Sequence, residues 1–408
     1  MSASKPHIAI LGAGPTGIEA ALAAAESGFP FTLFEAAPGA AGHLRKWGHV
    51  RLFTPWEMSV SARVRNRLAA AGVEVPAESE CPSGHEIADV LDRAAALPDI
   101  APHVRFGTRV LAIGREGLLK HEEISTPERG RRQFRLLVGD RSGHEQIAHA
   151  DVVIDATGTY GNPNRLGDGG IPAAGERSLD GEIRRDIPDF AREASDWAGR
   201  TILLAGAGHS AQTAARDLAD LARQAPGTRV IWALRGADSD WGTHPGDPLP
   251  ERARLAATAG ELAGGASPAI EARRGVVIEE ISRPNGKLRV VLRPSAAADI
   301  KTTKGTEAVE VDRILSLTGY VGDAELYRQL QVHECYATCG PIKLSAALLG
   351  AADGDCLTQT THGVDTLTNP EPGLFILGIK SYGRNNTFLM RVGWEQVGEV
   401  FGQLAANA

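Results

Sequence analysis

His7-Ile-Ala-Ile-Leu11, followed at once by Gly12-Ala-Gly14-Pro15-Thr16-Gly17, is the stretch on which the fold turns. The apolar run reads as a buried strand, the glycines close a turn, and Ile18, Ala21, Leu22 and Ala25 then fall on one face of a helix. A lone G-x-G-x-x-G is weak, but between a strand and a helix it is the phosphate-cradling turn of a βαβ nucleotide unit. Gly12 permits the tight turn, Gly14 lets the backbone approach a pyrophosphate, and Gly17 lets the helix pack close to the strand. Pro15 and Thr16 open the helix, whose unpaired N–H groups and positive dipole end face the phosphates. Gly28 closes the helix, Phe31-Thr-Leu-Phe34 makes a second strand, and Glu35 stands at its end. A carboxylate there accepts from ribose hydroxyls and repels a 2′-phosphate, so this site suits FAD or NAD rather than NADP.

The pattern recurs. Thr201-Ile-Leu-Leu-Ala205 runs into Gly206-Ala-Gly208-His209-Ser210-Ala211, and Ala211, Ala214, Ala215, Leu218 and Ala222 share one helix face. The next strand, Arg229-Val-Ile-Trp-Ala-Leu234, ends in Arg235 where the first unit has Glu35. A guanidinium there suits the 2′-phosphate of NADPH, which is favoured over NADH. Asp238 to Pro250 is rich in Pro and Gly and reads as a loop, either a lid over a ligand or a tolerated insertion.

The 408 residues suffice for two or three domains. Their balance of 43 Lys and Arg against 50 Asp and Glu, net -7, gives no general pull toward nucleic acid or an anionic membrane. No stretch approaches the ~20 apolar residues that span a bilayer, so a cytoplasmic protein with a small-molecule partner is expected. Four cysteines, Cys81, Cys335, Cys339 and Cys356, are too sparse for a disulfide framework, and none pairs with other Cys or His residues at zinc spacing. No metal is expected.

With both glycine turns in view, the chain resembles the two-dinucleotide-binding-domain flavoproteins, which include flavin-containing monooxygenases, Baeyer–Villiger monooxygenases and pyridine nucleotide–disulfide reductases. Asp151-Val-Val-Ile-Asp-Ala-Thr157-Gly158 resembles the family's Ala-Thr-Gly crossover, and Ile314-Leu-Ser-Leu-Thr-Gly-Tyr320 its second copy. The resemblance implies an α/β fold with two Rossmann-like three-layer domains, the NAD(P)H domain inserted into the FAD domain. The expected boundaries are 1–162 and 320–408 for FAD and 163–319 for NAD(P)H. It further implies that Pro372 to Gly378 returns to the flavin as a strand, with a helix from near Arg391 aimed at the flavin ring. Gly42 to Trp47 and Leu52 to Met58, with Thr54 between, look like the flavin-lining segment of the monooxygenase-like branch, and Val110 is similar to the position that touches the adenine. Core packing explains Trp47, Trp56 and Met58 equally well.

In this superfamily the flavin performs the redox step and the protein decides what the reduced flavin meets. No Cys-x-x-Cys occurs and the segment around Gly42 contains no cysteine pair, which disfavours dithiol chemistry of the known kinds. Cys335 and Cys339 would share a face if helical, as a redox pair or as two small apolar residues. The Phe-x-Gly-x-x-x-His fingerprint of class B monooxygenases is missing ahead of the second glycine turn, which puts their oxygen chemistry in doubt. Catalytic candidates gather after Gly378: Lys380 or Arg384 to offset negative charge, and Tyr382 to donate a proton. His209 is expected to contact the nicotinamide nucleotide, and His43 to cover the flavin or fill a turn. The first functional expectation is an NADPH-dependent FAD oxidoreductase, monooxygenase-like, acting on a small organic or sulfur- or nitrogen-containing molecule. The alternatives are a flavin reductase of a thiol, disulfide or quinone-like acceptor and a non-catalytic flavin-binding sensor. The family likeness also suggests a homodimer.

Overall fold

The computed structural model describes residues 5–76, 79–238, 241–296, 305–350, 357 and 359–407. Cys356 and part of the 238–250 loop lie outside the described residues. The chain divides into two compact units, Met1–Asn162 with Tyr320–Ala408, and Pro163–Gly319.

In the first unit β1 (Ile8–Leu11), β2 (Phe31–Glu35) and β3 (Val104–Phe106) are followed by β4 (Thr108–Arg115), β5 (Phe134–Asp140), β6 (Glu145–Ala150) and β7 (Val152–Asp155). The second unit holds β8 (Ile183–Arg184), β9 (Thr201–Ala205), β10 (Arg229–Leu234), β11 (Ile270–Arg274), β12 (Val276–Ser282), β13 (Leu288–Pro294), β14 (Glu307–Val311) and β15 (Arg313–Ser316). The chain then returns to the first unit for β16 (Leu374–Ile376).

Each unit is built on one plan. A five-stranded parallel sheet, β16-β7-β1-β2-β3 or β11-β10-β9-β15-β8, is joined by a three-stranded antiparallel sheet, β4-β5-β6 or β12-β13-β14. All four residues of β1 and of β7 are buried, as expected of parallel strands covered on both faces. The Pro15–Glu26 and Met390–Ala406 helices pack on the first sheet, where Phe29 meets Phe401 edge-on at 6.0 Å. The expected α/β, Rossmann-like architecture is what the structure shows. In both sheets the strand order reverses beside the first glycine strand, between β1 and β7 and between β9 and β15. Ligands of open α/β sheets bind outside the carboxyl ends of the strands at such switch points.

A buried charge cluster fastens the β4-β5-β6 sheet to the C-terminal return. Arg115 Nε and Arg129 Nη2 each donate to Glu371 at 2.8 Å, and all three side chains are at most 1% exposed. The Gln331 N–H adds a third donor at 2.8 Å, and the Arg115 guanidinium lies 3.6 Å from the Phe134 ring centroid.

Candidate functional site

At the first switch point the backbone leaves no room for side chains where glycine was expected, and leaves open space where a ligand was expected. A Cβ on Gly17 would stand 1.8 Å from the Gly12 carbonyl oxygen, and one on Gly12 (φ +94°) would stand 2.8 Å from the Ala156 oxygen. A Cβ on Gly14 would meet nothing within 4 Å. Glu35 does more than wait for a ribose: its Oε2 accepts from the Ala13 N–H and its Oε1 from the Ala37 N–H, both at 2.7 Å. The carboxylate thereby clamps the glycine turn to the end of β2, and each oxygen keeps a lone pair for a further donor. Gly42 is held in the same place, since a Cβ there would lie 2.4 Å from the Ala37 Cβ.

The C-terminal return meets this turn through Thr16. Cβ atoms on Gly378 (φ +70°) and Gly393 would each fall 2.8 Å from Thr16 Oγ1, so both glycines admit the close approach of the two helices. The Gly378 N–H is satisfied by Gln396 Oε1 at 2.8 Å.

Gly378–Tyr382 forms a buried 3-10 turn rather than an open polar loop. Lys380 is 2% exposed, and its Nζ donates to Asp155 Oδ2 at 2.6 Å and to Thr157 Oγ1 at 3.2 Å. Asp155 Oδ1 also accepts from the Thr157 hydroxyl, at 2.7 Å. Lys380 is therefore not the free cation the sequence suggested; it fixes the crossover turn of Thr157 and Gly158 beside the first glycine turn. Arg384 is exposed, and its N–H donates to the Thr338 carbonyl at 2.7 Å. Tyr382 is fully buried, packs edge-on against Phe388 at 5.2 Å, and its hydroxyl has no hydrogen-bond partner among the described residues. Burial, with the Glu395 charge, pushes its phenol up to about 12.

Beyond Gly158 an aromatic cluster forms. Tyr160 packs against the tilted ring of Tyr320 at 4.7 Å and faces His43 at 6.1 Å and Trp47 at 6.0 Å. His43 Nδ1 and Trp47 Nε1 are buried atoms with no hydrogen-bond partner among the described residues. Burial, with Lys46 and Arg109 nearby, lowers His43 to about 4, so it is neutral at physiological pH. Trp56, by contrast, belongs to the main hydrophobic core, and Thr54 hydrogen-bonds Ser59 at 3.1 Å. Val110 packs at the edge of the cluster containing Phe34, beside a register shift in β4.

The second switch point repeats the first. A Cβ on Gly206 (φ +124°) would lie 2.2 Å from the Leu317 oxygen, a Cβ on Gly208 would meet nothing within 4 Å, and Ala211 is fully buried in the third glycine position. Ser210 and Arg235 are exposed, the latter just past the end of β10. His209 begins the helix, and burial together with the Arg252 charge lowers its pKa. The described part of the Pro- and Gly-rich loop lies on this turn. Gln212 Nε2 donates to the Trp241 oxygen at 3.1 Å, Trp241 packs on Trp232 at 5.1 Å, and Arg252 holds Asp247 at 2.7 Å.

Cys335 and Cys339 are not on a helix. They sit at the neck of a hairpin loop closed by the Glu334–Pro341 bridge, with Cys339 N–H donating to the Cys335 oxygen at 2.9 Å. Sequence reasoning also passed over Asp155, Gln396, Tyr160 and Tyr320. A charged residue ending the apolar run Val152-Val-Ile-Asp155 was a usable sign of a buried pair; nothing local marked the others.

These residues fit the two nucleotides: turns that only glycine can make, open faces at Gly14 and Gly208, and orphaned ring nitrogens beside the crossover. Residues 6–244, more than half of the chain, match the pyridine nucleotide-disulphide oxidoreductases. The chain belongs to this family. It is an FAD-dependent NAD(P)H oxidoreductase, and FAD and NADP(H) are the family's typical cofactors. No curated protein sequence matches it significantly. Among solved structures, the bacillithiol disulfide reductase of Bacillus cereus is similar, with 17% identity over 99% of this chain and 100% of that one, and a TM-score of 0.69. A Kutzneria ornithine N-hydroxylase gives 16% identity, 99% coverage of both chains and a TM-score of 0.63. The thioredoxin reductase of T. acidophilum gives 15%, 98% of both and 0.59. At these identities the likeness is one of fold, and the neighbours of this fold include both disulfide reductases and an N-hydroxylase. No helix among the described residues is long and apolar enough to cross a membrane.

Proposed function

We propose that the first unit holds FAD, the second holds NADPH, and the protein passes two electrons from NADPH through the flavin to a small disulfide or other small organic acceptor. The observation that carries the assignment is the opposite charge ending the equivalent strands, Glu35 after β2 and Arg235 after β10, each beside an open glycine turn. Gly12, Gly14, Pro15, Thr16 and Gly17 would cradle the FAD pyrophosphate, Glu35 the ribose, and Val110 the adenine. Gly42, Trp47, Thr54, Thr157, Gly158 and Gly378 would line the rest of the cofactor. Gly206, Gly208, His209, Ser210 and Ala211 would take the NADPH pyrophosphate, and Arg235 its 2′-phosphate.

When bound, FAD supplies two-electron redox chemistry, accepting hydride from the nicotinamide. The chain's own residues prepare that step. Lys380 is a positioning residue that holds the Thr157–Gly158 turn, and the loop at Trp241 closes over the second glycine turn. Tyr382, with its phenol pushed up to about 12, keeps its proton at neutral pH and so does not act as a base. Reduction is favoured over oxygen insertion by the Cys335–Cys339 loop, which is bonded directly to the segment after Gly378.

A monooxygenase is the second reading, supported by the neutral His43 and the aromatic wall at Tyr160, which would shelter a small substrate. Oxygen balance separates the two. Anaerobic turnover that consumes NADPH and reduces a small disulfide supports the reductase, whereas one atom of labelled oxygen in the product per NADPH overturns it in favour of the monooxygenase. If NADPH fails to bleach the flavin, neither reading stands.

A further inference from the structure

Leu166-Gly-Asp168-Gly-Gly-Ile171 carries one carboxylate on a turn that favours glycine, with Gly169 at φ +64° and Gly170 at φ +79°. Bridges from Gly167 to Ile278 and from Ala174 to Glu280 lay this segment along β12. Asp168 Oδ1 accepts from the Gly169 N–H at 2.9 Å, and Oδ2 accepts from Arg293 Nη2 at 2.8 Å. Arg293, near the end of β13, also donates through Nε to Glu279 of β12 at 2.8 Å. All of these residues belong to the second unit.

The end of β10 meets the same corner. Alternation along β13 and one residue past it puts Arg293 and Ser295 on one face, opposite the buried Leu292. Ser295 Oγ donates to the Arg235 carbonyl at 2.8 Å, and the Gly275 N–H donates to the Gly236 carbonyl at 3.1 Å. Arg235 is thus fixed against the residue that shares a face with Arg293. The exposed Asp168 carboxyl lies below its ordinary range, first through the Arg293 hydrogen bond, and it also feels the Arg235 charge.

The two arginines are not equally engaged. Among the described residues the Arg235 guanidinium makes no hydrogen bond or ion pair. Arg293 spends three of its five N–H donors, on Glu279, Asp168 and the Pro294 carbonyl. The side chains of Arg293 and Asp168 are 38% and 48% exposed, and an ion pair so open to water is weak. A phosphate dianion, by contrast, takes several charge-assisted bonds at once.

We propose that Arg293 reads the nucleotide 2′-phosphate beside Arg235, and that Asp168 sharpens the preference for a phosphate by occupying Arg293 until one arrives. A 2′-phosphate displaces the carboxylate and takes the freed donor together with the two unspent ones. A 2′-hydroxyl, being uncharged, cannot displace it, so the Asp168–Arg293 pair stays closed. With NADPH assigned to the second unit, on which this role rests, the pair accounts for how the site tells NADPH from NADH.

The test is calorimetric titration of FAD-loaded protein with adenosine 2′,5′-bisphosphate and, separately, with 5′-AMP. Arg293→Ala is expected to weaken the bisphosphate about tenfold and to leave 5′-AMP within about twofold. Asp168→Asn is expected to tighten the bisphosphate about threefold, a gain that vanishes when Arg293→Ala is added. Unchanged near-ultraviolet circular dichroism in each variant keeps folding out of the comparison. Wild-type affinity for the bisphosphate in Arg293→Ala, with weakened binding in Arg235→Ala, overturns the proposal and leaves the NADPH reading standing. Equal affinity of the wild-type protein for the two nucleotides overturns both. Displacement of the bisphosphate by equimolar inorganic phosphate also overturns the proposal, because the corner would then be a general anion site.

Discussion

Lys380 and Asp155 lie 225 residues apart and meet at 2.6 Å with almost no solvent between them and the core. Removing the ammonium strands a buried carboxylate, which costs on the order of 3–5 kcal/mol. Lys380→Met is therefore expected to lower the urea midpoint strongly, with Lys380→Arg milder, in equilibrium unfolding followed by circular dichroism. Arg235 is exposed, so its replacement should leave folding alone. Arg235→Ala is expected to raise KM for NADPH by about 10–100-fold, the loss of one charge-assisted contact, with KM for NADH nearly unchanged. His43 sets a pH dependence. Its pKa is about 4 in the folded protein against an ordinary 6.5, so the unfolded chain binds the proton first as pH falls. Stability contributed by neutral His43 is complete above about 6.5 and lost progressively toward 4. After allowance for partial exposure this amounts to roughly 1–2 kcal/mol, and His43→Gln should flatten that part of the stability–pH curve. Sequence placed Lys380 in the right segment but misjudged its surroundings, because a buried pair depends on a partner that no local pattern names.

The glycine turns were the most legible elements, since strand, turn and helix there are dictated by a dozen consecutive residues. They also separate folding from binding. Gly17→Ala puts a Cβ 1.8 Å from a backbone oxygen and is expected to leave the protein largely insoluble or partly unfolded by near-ultraviolet circular dichroism. Gly14→Ala meets no protein atom within 4 Å, so it should fold normally yet lose flavin during gel filtration. Finding Gly14→Ala fully yellow would remove the pyrophosphate from that face. The short strands were less legible: β8 has two residues and β16 three, and their edge places in the sheets come from pairing with distant strands. The Cys335–Cys339 turn was misjudged for a related reason, because its hairpin is closed by backbone bonds rather than by residue spacing.

Over the whole molecule, the division at Asn162 and Tyr320 leaves the first unit with its two broken ends side by side. The Val321 N–H donates to the Asn162 oxygen at 3.1 Å, and Tyr160 packs against Tyr320. Deleting 163–319 and joining Asn162 to Tyr320 is expected to yield a folded flavoprotein that NADPH no longer reduces, checked by visible absorbance before and after NADPH. The return itself constrains how the protein is made. Glu371 accepts from Arg129, 242 residues earlier, and from Arg115 before it. At about 5–20 residues per second, a ribosome needs roughly 10–50 s to cover that distance. For all that time the nascent N-terminal half carries two arginines destined for a dry interior with no carboxylate to meet them. Its sheet cannot settle early, and messages truncated before codon 371 should yield chains that quality control recognises as unfinished.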